Sequence, residues 1–311
     1  MRQRRGVVAL DVGGTKIACG LVLTDGSVEY SRTVPTSRES PDSVSEQIVV
    51  LATQAIEHAP RDVVTAAVGF VVPGWVNHAD RTVWAPNVAG WDHIPLEQLL
   101  KERLPLPIAL DSDRSGYVRG ETWLGAARGL KDVVFLAVGT GIGAGIMADG
   151  HVLHGHNDLA GAVGWMALNP TFSGLYAQVG CFEAEASGSA VGRKGAVRLA
   201  DDQARAGDGW SAQRVLQAAV DGESRATEII DEVAVYLGMA IANLVSTLDP
   251  EMVVLGGGLF QAGEYLAGRV RREFVRWCQP FAARRVRIEL SALGERAGLI
   301  GAARIAMNSF L

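Results

Sequence analysis

The residues best able to do chemistry are three glycine-rich turns and a short run of acids. Asp11-Val12-Gly13-Gly14-Thr15-Lys16 closes one apolar run and opens another. Glycines let backbone N–H groups approach a ligand closely, and such turns can cradle phosphate. In that role Gly13, Gly14 and Thr15 donate amides, Lys16 faces phosphate charge, and Asp11 holds Mg²⁺ directly or through water. An ordinary hairpin turn with a surface lysine is the plainer account of the same residues. Gly139-Thr140-Gly141-Ile142-Gly143 is a second such turn. It opens a strand and not a helix, so it is no dinucleotide fingerprint; a bulged hairpin would also need its glycines. Gly256-Gly257-Gly258 follows a short buried strand. It suits either a close approach to a nucleotide or a flexible helix start. Asp111 and Asp113 end another buried strand, the place where α/β sheets bind ligands. A carboxylate there can act as general base on a hydroxyl, although Asp111, Ser112, Asp113 and Ser115 could all cap the next helix.

Two of these turns belong to a segment that occurs twice. Residues 7–26 read VVALDVGGTKIACGLVLTDG and residues 133–150 read VVFLAVGTGIGAGIMADG. Each is an apolar strand, a Gly/Thr turn, a second strand and an Asp-Gly turn, the pattern of a β-hairpin. Two copies predict two similar lobes that share a cleft. Asp11 in the first copy is Ala137 in the second. Only the first hairpin therefore carries a charge suited to a metal ion.

The elements that must position these residues alternate between strand and helix. Strands are expected over 6–23, 28–33, 64–72, 107–110, 252–255 and 286–290. Helical periodicity covers 43–58, 96–103, 115–124, 226–248, 265–278 and 298–307. Residues 155–192 are glycine-rich and read as irregular. Such alternation argues α/β with a mainly parallel or mixed sheet.

Composition narrows the partners. The 311 residues suffice for two lobes with real cores. A net charge of −5 carries no polyelectrolyte signal, so nucleic acid is not an expected partner. No apolar leader or long apolar run is seen, which predicts a cytoplasmic protein without a membrane partner. Three distant cysteines, Cys19, Cys181 and Cys278, read as free thiols and not as a disulfide framework.

Together these pieces resemble the ROK family (repressor, open reading frame, kinase), the bacterial glucokinase-like sugar kinases. The resemblance runs nearly end to end. It rests on Asp11–Lys16, on Pro73-Gly74-Trp75-Val76 and on APNVAGW at 85–91. It also rests on GETWLGAARG at 120–129, on Gly139–Gly143, on GCFEAEASG at 180–188 and on Gly256–Gly258. The resemblance implies an α/β, actin-like ATPase (ribonuclease H-like) fold, with two lobes, an internal repeat and a central cleft for ATP. Residues 1–113 plus 296–311 would form the small N-terminal lobe and 114–295 the large C-terminal lobe. It implies Asp113 as catalytic base, drawing the proton from a sugar hydroxyl, usually that on C6. ATP would meet Asp11, Gly13, Gly14, Thr15, Lys16, Gly139, Thr140, Gly141, Gly256, Gly257 and Gly258. The sugar would meet Gly74, Asn87, Asp111, Ser112, Asp113, His156 and Glu183. Mg²⁺ at Asp11 and a homodimer are further implications.

The departures from the family concentrate around the sugar. The family's Asn-Asp-x-Asn is here Ser112-Asp113-Arg114-Ser115. Its Gly-Glu-Ile-Gly-His is Gly161-Ala162-Val163-Gly164-Trp165, so a sugar-binding Glu and His are missing. That His is also a zinc ligand beside three cysteines, of which only Cys181 remains here. No structural zinc is expected, and Trp165 and Tyr176 are expected to fill the space. His154, His156, Asn157 and Asp158 are candidates for replacement sugar contacts. Asp111 beside an altered pocket would suit an amino substituent, and kanosamine kinases are ROK-like; glucose stays open. A non-catalytic sugar sensor or scaffold is the alternative.

Overall fold

Near-continuous apolar runs such as Val7–Leu10 and Val133–Leu136 cannot face water on either side, and they become central strands covered on both faces. A computed structural model describes residues 3–40, 42–199 and 209–311 of the chain. In chain order its strands are β1 (Arg4–Val12), β2 (Lys16–Leu23), β3 (Val28–Pro35), β4 (Val63–Val72), β5 (Trp75–Asn77), β6 (Thr82–Trp84), β7 (Ile108–Ser112), β8 (Val133–Val138), β9 (Ile142–Ala148), β10 (His151–Val152), β11 (Met252–Gly256) and β12 (Arg287–Leu290). Its helices are α1 (Ser43–Glu57), α2 (Leu96–Lys101), α3 (Asp113–Leu124), α4 (Tyr176–Val179), α5 (Cys181–Ala186), α6 (Gly188–Arg198), α7 (Ala212–Val220), α8 (Ser224–Leu248), α9 (Glu264–Trp277), α10 (Pro280–Ala283) and α11 (Ala297–Phe310).

The chain forms two units. The first comprises Met1–Gly129, Val152–Leu159 and Ala292–Leu311; the second comprises Leu130–His151 and Ala160–Ser291. The first unit runs past the expected boundary at 113 because α3 packs along α11 and against β4 and β7. It also recovers a short segment, 152–159, from the middle of the chain.

Each unit holds a five-stranded sheet, and the two sheets share one topology. The first has the order β3-β2-β1-β4-β7 and the second β10-β9-β8-β11-β12. In the first, β1 is antiparallel to β2 and parallel to β4, which is parallel to β7. In the second, β8 is antiparallel to β9 and parallel to β11, which is parallel to β12. Asp11 and Ala137 occupy matching positions, each one residue before its strand ends. The repeat seen in the sequence is thus a repeat of fold.

Alternation along β1 divides the first core. Val8, Leu10 and Val12 pack with α1 and α2, while Val7 and Ala9 pack with α11. The second unit is built around α8, whose Ile229, Ile230, Leu237 and Ile241 are fully buried beside Val134, Leu136 and Val253. This helix is long and apolar enough to cross a membrane, but most of it is buried in that core.

One expectation is corrected here. The glycine-rich stretch 155–192 is not irregular throughout. From Tyr176 onward it forms α4, α5 and the start of α6. Its glycines serve packing: Gly180 lies against the Gly164 carbonyl, and Gly192 against the Trp210 carbonyl.

Candidate active site

Asp113 is the first residue of α3, directly after β7. Ser112 caps that helix: its side-chain oxygen accepts from the Ser115 amide at 3.3 Å, and it lies 3.2 Å from the Ser115 hydroxyl. The cap fixes where the Asp113 side chain leaves the backbone. Its carboxylate accepts the Arg114 amide at 2.7 Å and the Tyr117 hydroxyl. Tyr117 stands one helical turn on, the spacing that brings side chains together. Burial, helped by the repulsion of Asp111, pushes the Asp113 carboxyl up to about 6, against the Arg114 charge and these hydrogen bonds. Such a group can take a proton near neutral pH.

Asp11, near the end of β1, belongs to the same unit. Burial and the nearby Asp113 charge push it up to about 7, with Lys16 pulling it down. The two carboxylates therefore lie within each other's field. No hydrogen bond from the described residues reaches the Asp11 carboxylate. It abuts Gly298 in the first turn of α11, where any Cβ would overlap it. A helix N-terminus favours negative charge.

The first glycine turn is partly committed to itself. The Gly13 amide donates to the Lys16 carbonyl at 2.9 Å, so it is not free for phosphate as expected. The Thr36 hydroxyl donates to the Gly13 carbonyl at 2.6 Å and the Thr36 amide to the Thr15 carbonyl at 3.0 Å, clamping the turn onto the end of β3. Gly14 packs on the Asn87 backbone. Lys16 pairs with Glu295 at 2.7 Å on the surface.

In the second unit the Gly139 amide likewise closes on the Gly141 carbonyl at 2.9 Å. The Gly188 amide, at the start of α6, donates to the Gly139 carbonyl at 2.7 Å, and the Ser189 hydroxyl donates to the Thr140 carbonyl at 2.8 Å. Gly257, at φ 91°, passes so close to the Val138 carbonyl that only glycine fits. The Gly139–Gly141 and Gly256–Gly258 turns are thereby brought together at one end of the sheet. Glu183 is committed to this loop: its carboxylate accepts the Ile142 amide at 2.7 Å and packs on Gly141.

The remaining expected sugar residues divide. The Gly74 carbonyl accepts from the Arg114 guanidinium at 3.3 Å, joining it to the start of α3. Asp111 is only 4% exposed and accepts the Ser112 amide at 2.7 Å. Its other partner is His154, whose Nε2 lies 3.0 Å from Oδ2. His156 is solvent-exposed. The histidine at Asp111 is therefore His154, with His78 beside it. His78 gave no sequence signal, because it comes from the turn after β5 and only the fold brings it near. Tyr117 was within reach of sequence reasoning through its helical spacing from Asp113.

The expected packing at the lost zinc positions is half right. Tyr176 is buried and donates its hydroxyl to Glu185, while the Asn169 amide donates to the Tyr176 hydroxyl at 3.0 Å. Trp165 instead faces solvent at 58% exposure. Its turn buries Val163 and Gly164, and Gly164 packs on the Ile142 carbonyl and Glu183, leaving the indole no inward path.

The ROK family profile matches residues 7–309. A glucokinase from Halalkalibacterium halodurans is 31% identical across 96% of this chain and 93% of its own. A glucokinase from Streptomyces coelicolor is 32% identical across 96% of each chain. The crystal structure of a ROK family glucokinase from Streptomyces griseus, in complex with glucose and AMPPNP, is 30% identical. It superposes with a TM-score of 0.82 over 97% of this chain and 99% of that one. The shared topology is the actin-like ATPase fold. A match over nearly the whole length, together with full-length relatives above 30% identity, means that this chain belongs to the ROK family.

Proposed function

We propose that the chain is an ATP-dependent hexose kinase that transfers the γ-phosphate to a hydroxyl of a glucose-like sugar, the one on C6. The observation that carries this reading is the pair of carboxylates at the ends of β1 and β7, with Asp113 anchored by the Arg114 amide and the Tyr117 hydroxyl. The full-length relatives named glucokinase support the acceptor class.

Phosphoryl transfer asks mainly for positioning and charge neutralisation. Asp113 accepts the proton of the sugar hydroxyl as that oxygen bonds to the γ-phosphorus. The bond from phosphorus to the bridging oxygen breaks, ADP leaves, and the proton passes from Asp113 to solvent. The Gly14, Thr15, Thr140 and Gly141 amides, which have no backbone acceptor among the described residues, suit phosphate oxygens, as does the Gly256–Gly258 turn. Asp11 fits Mg²⁺: it is an oxygen donor with no hydrogen bond to lose. When bound there, the ion would neutralise charge on the transferring phosphate. Gly74, Asn87 and Ser112 complete the reading on the acceptor side, while Glu183 holds the Gly139–Gly141 turn. The chain is further read as a cytoplasmic homodimer without structural zinc, since one thiol stands where four ligands would be needed.

An amino-hexose such as kanosamine is the second reading. Its support is Asp111, a buried carboxylate already paired with an imidazole that can carry positive charge. An ammonium would have to take the place of His154. ADP release measured over glucose, mannose, N-acetylated amino sugars and kanosamine tests both readings. Turnover with glucose is expected, turnover with kanosamine alone would favour the second reading, and no sugar-dependent turnover would favour a non-catalytic sensor.

A further inference from the structure

We propose that His78, Asp111 and His154 form a binding site for a divalent transition-metal ion of the zinc class. The three side chains come from distant parts of the first unit: the turn after β5, strand β7, and the segment 152–159. His154 Nε2 lies 3.0 Å and 3.3 Å from the two Asp111 oxygens. His78 Nε2 lies 3.9 Å from Asp111 Oδ1. The two imidazoles meet edge to face, with centroids 4.8 Å apart. One ligand atom from each residue falls within 4.8 Å of the other two. Bonds of about 2.0–2.2 Å to a tetrahedral ion put neighbouring ligand atoms roughly 3.3 Å apart. Small side-chain adjustments close the difference.

A second, independent feature points the same way. The other ring nitrogen of His78, Nδ1, lies 2.9 Å from Asp158 Oδ1, and the His78 amide donates to Asp158 Oδ2 at 2.9 Å. A carboxylate on Nδ1 holds the proton there and leaves the Nε2 lone pair facing the cluster. That carboxylate–histidine arrangement orients metal-binding histidines and raises their basicity. Asp158 adopts a left-handed backbone conformation, φ 56°, at the position that makes this contact. A non-glycine residue there needs a compensating interaction, and the two bonds to His78 supply it. The segment is also tied down by the Trp75 indole, which donates to the Asn157 carbonyl at 2.8 Å.

Two imidazoles and one carboxylate suit Zn²⁺, Co²⁺ or Ni²⁺, whereas Mg²⁺ and Ca²⁺ prefer all-oxygen sites. Three protein ligands leave a coordination position open for water or a ligand atom. On binding, the ion replaces the proton shared between His154 and Asp111, and that proton leaves to solvent. The ion would then join 152–159 to the strand that leads into Asp113. The site shares Asp111 with the expected sugar contacts, but the phosphotransfer reading rests on Asp11 and Asp113, so failure of metal binding would leave that reading intact.

The test is calorimetric titration of the chelator-treated full-length chain with Zn²⁺, together with Co²⁺ absorption. The expected result is one equivalent per chain, a raised Tm, and Co²⁺ bands of nitrogen and oxygen ligation without thiolate charge transfer. His78→Gln and His154→Gln should abolish the equivalent. Asp158→Asn, which touches no ion, should weaken it about 10- to 100-fold. His156→Asn and Cys181→Ser should leave it unchanged. Far-ultraviolet circular dichroism confirms that each variant is folded. No binding by the wild-type chain, binding unaffected by His78→Gln, or thiolate bands would each overturn the proposal.

Discussion

The Glu183 carboxylate accepts the Ile142 amide at 2.7 Å, which ties a residue expected at the sugar to the end of the Gly139–Gly141 turn. Burial raises this carboxyl, and the amide partly offsets that rise. Glu183→Ala leaves the amide without its acceptor, a loss of about 1–3 kcal/mol. The KM for ATP should rise more than the KM for sugar, and Glu183→Gln, which keeps an acceptor oxygen, should largely restore it. A rise confined to the sugar KM would contradict the role given to this contact.

Gly298 makes room for the Asp11 carboxylate at the start of α11. A methyl group there displaces the carboxylate while adding helix propensity. Displacement of a reacting group by about 1 Å costs roughly a hundredfold in rate. Gly298→Ala should therefore lose about two orders of magnitude in turnover with little change in Tm. Full activity in this variant would show that Asp11 does not need its observed position.

The GETWLGAARG run has a physical explanation in Glu121. This carboxylate is completely buried. It accepts the Ala126 amide at 2.7 Å, the Leu293 amide at 3.1 Å and the Ala292 amide at 3.4 Å, joining the end of α3 to the approach to α11. Glu121→Ala strands three part-buried amide donors and should cost about 3 kcal/mol. Denaturant unfolding measures this, and a loss below about 1 kcal/mol would contradict the account.

A pH dependence follows from the cluster near the lost zinc positions. Lys194 Nζ lies 2.6 Å from Glu232 and 3.0 Å from Glu185, and Arg198 lies 2.7 Å from Glu232. Burial alone would raise the Glu232 carboxyl, but Lys194 and Arg198 outweigh it and hold the group below its ordinary value. A carboxyl lowered by folding contributes stability above its unfolded pKa, and the contribution is lost as pH falls through the folded value. Solvent reaches this pair, so the contribution is about 1 kcal/mol at most. The Tm gap between wild type and Glu232→Gln should be largest near neutrality and close on acidification. A gap independent of pH would contradict this assignment.

Local pattern made the hairpins legible, because apolar strands flanking Gly-Thr turns leave few alternatives. The buried strand ending at Asp113 was legible for the same reason. Composition could not separate glycines that break a chain from glycines that let helices approach. Residues 176–192 therefore looked irregular where Gly188 and Gly192 in fact admit the Gly139 and Trp210 carbonyls. The place of His154 and His78 around Asp111 was illegible, since it depends on contacts between segments far apart in the chain. Sequence pattern likewise could not reveal that the Gly13 and Gly139 amides are used inside their own turns.

The central claim is that Asp113 takes the proton of the acceptor hydroxyl, and Asp113→Asn tests it most directly. Asparagine keeps the size and can still accept the Arg114 amide, but it cannot take a proton at neutral pH. Sugar-dependent ADP release should fall by about 10²- to 10⁴-fold, with ATP binding unchanged by calorimetry. Turnover within a few-fold of wild type would contradict the account.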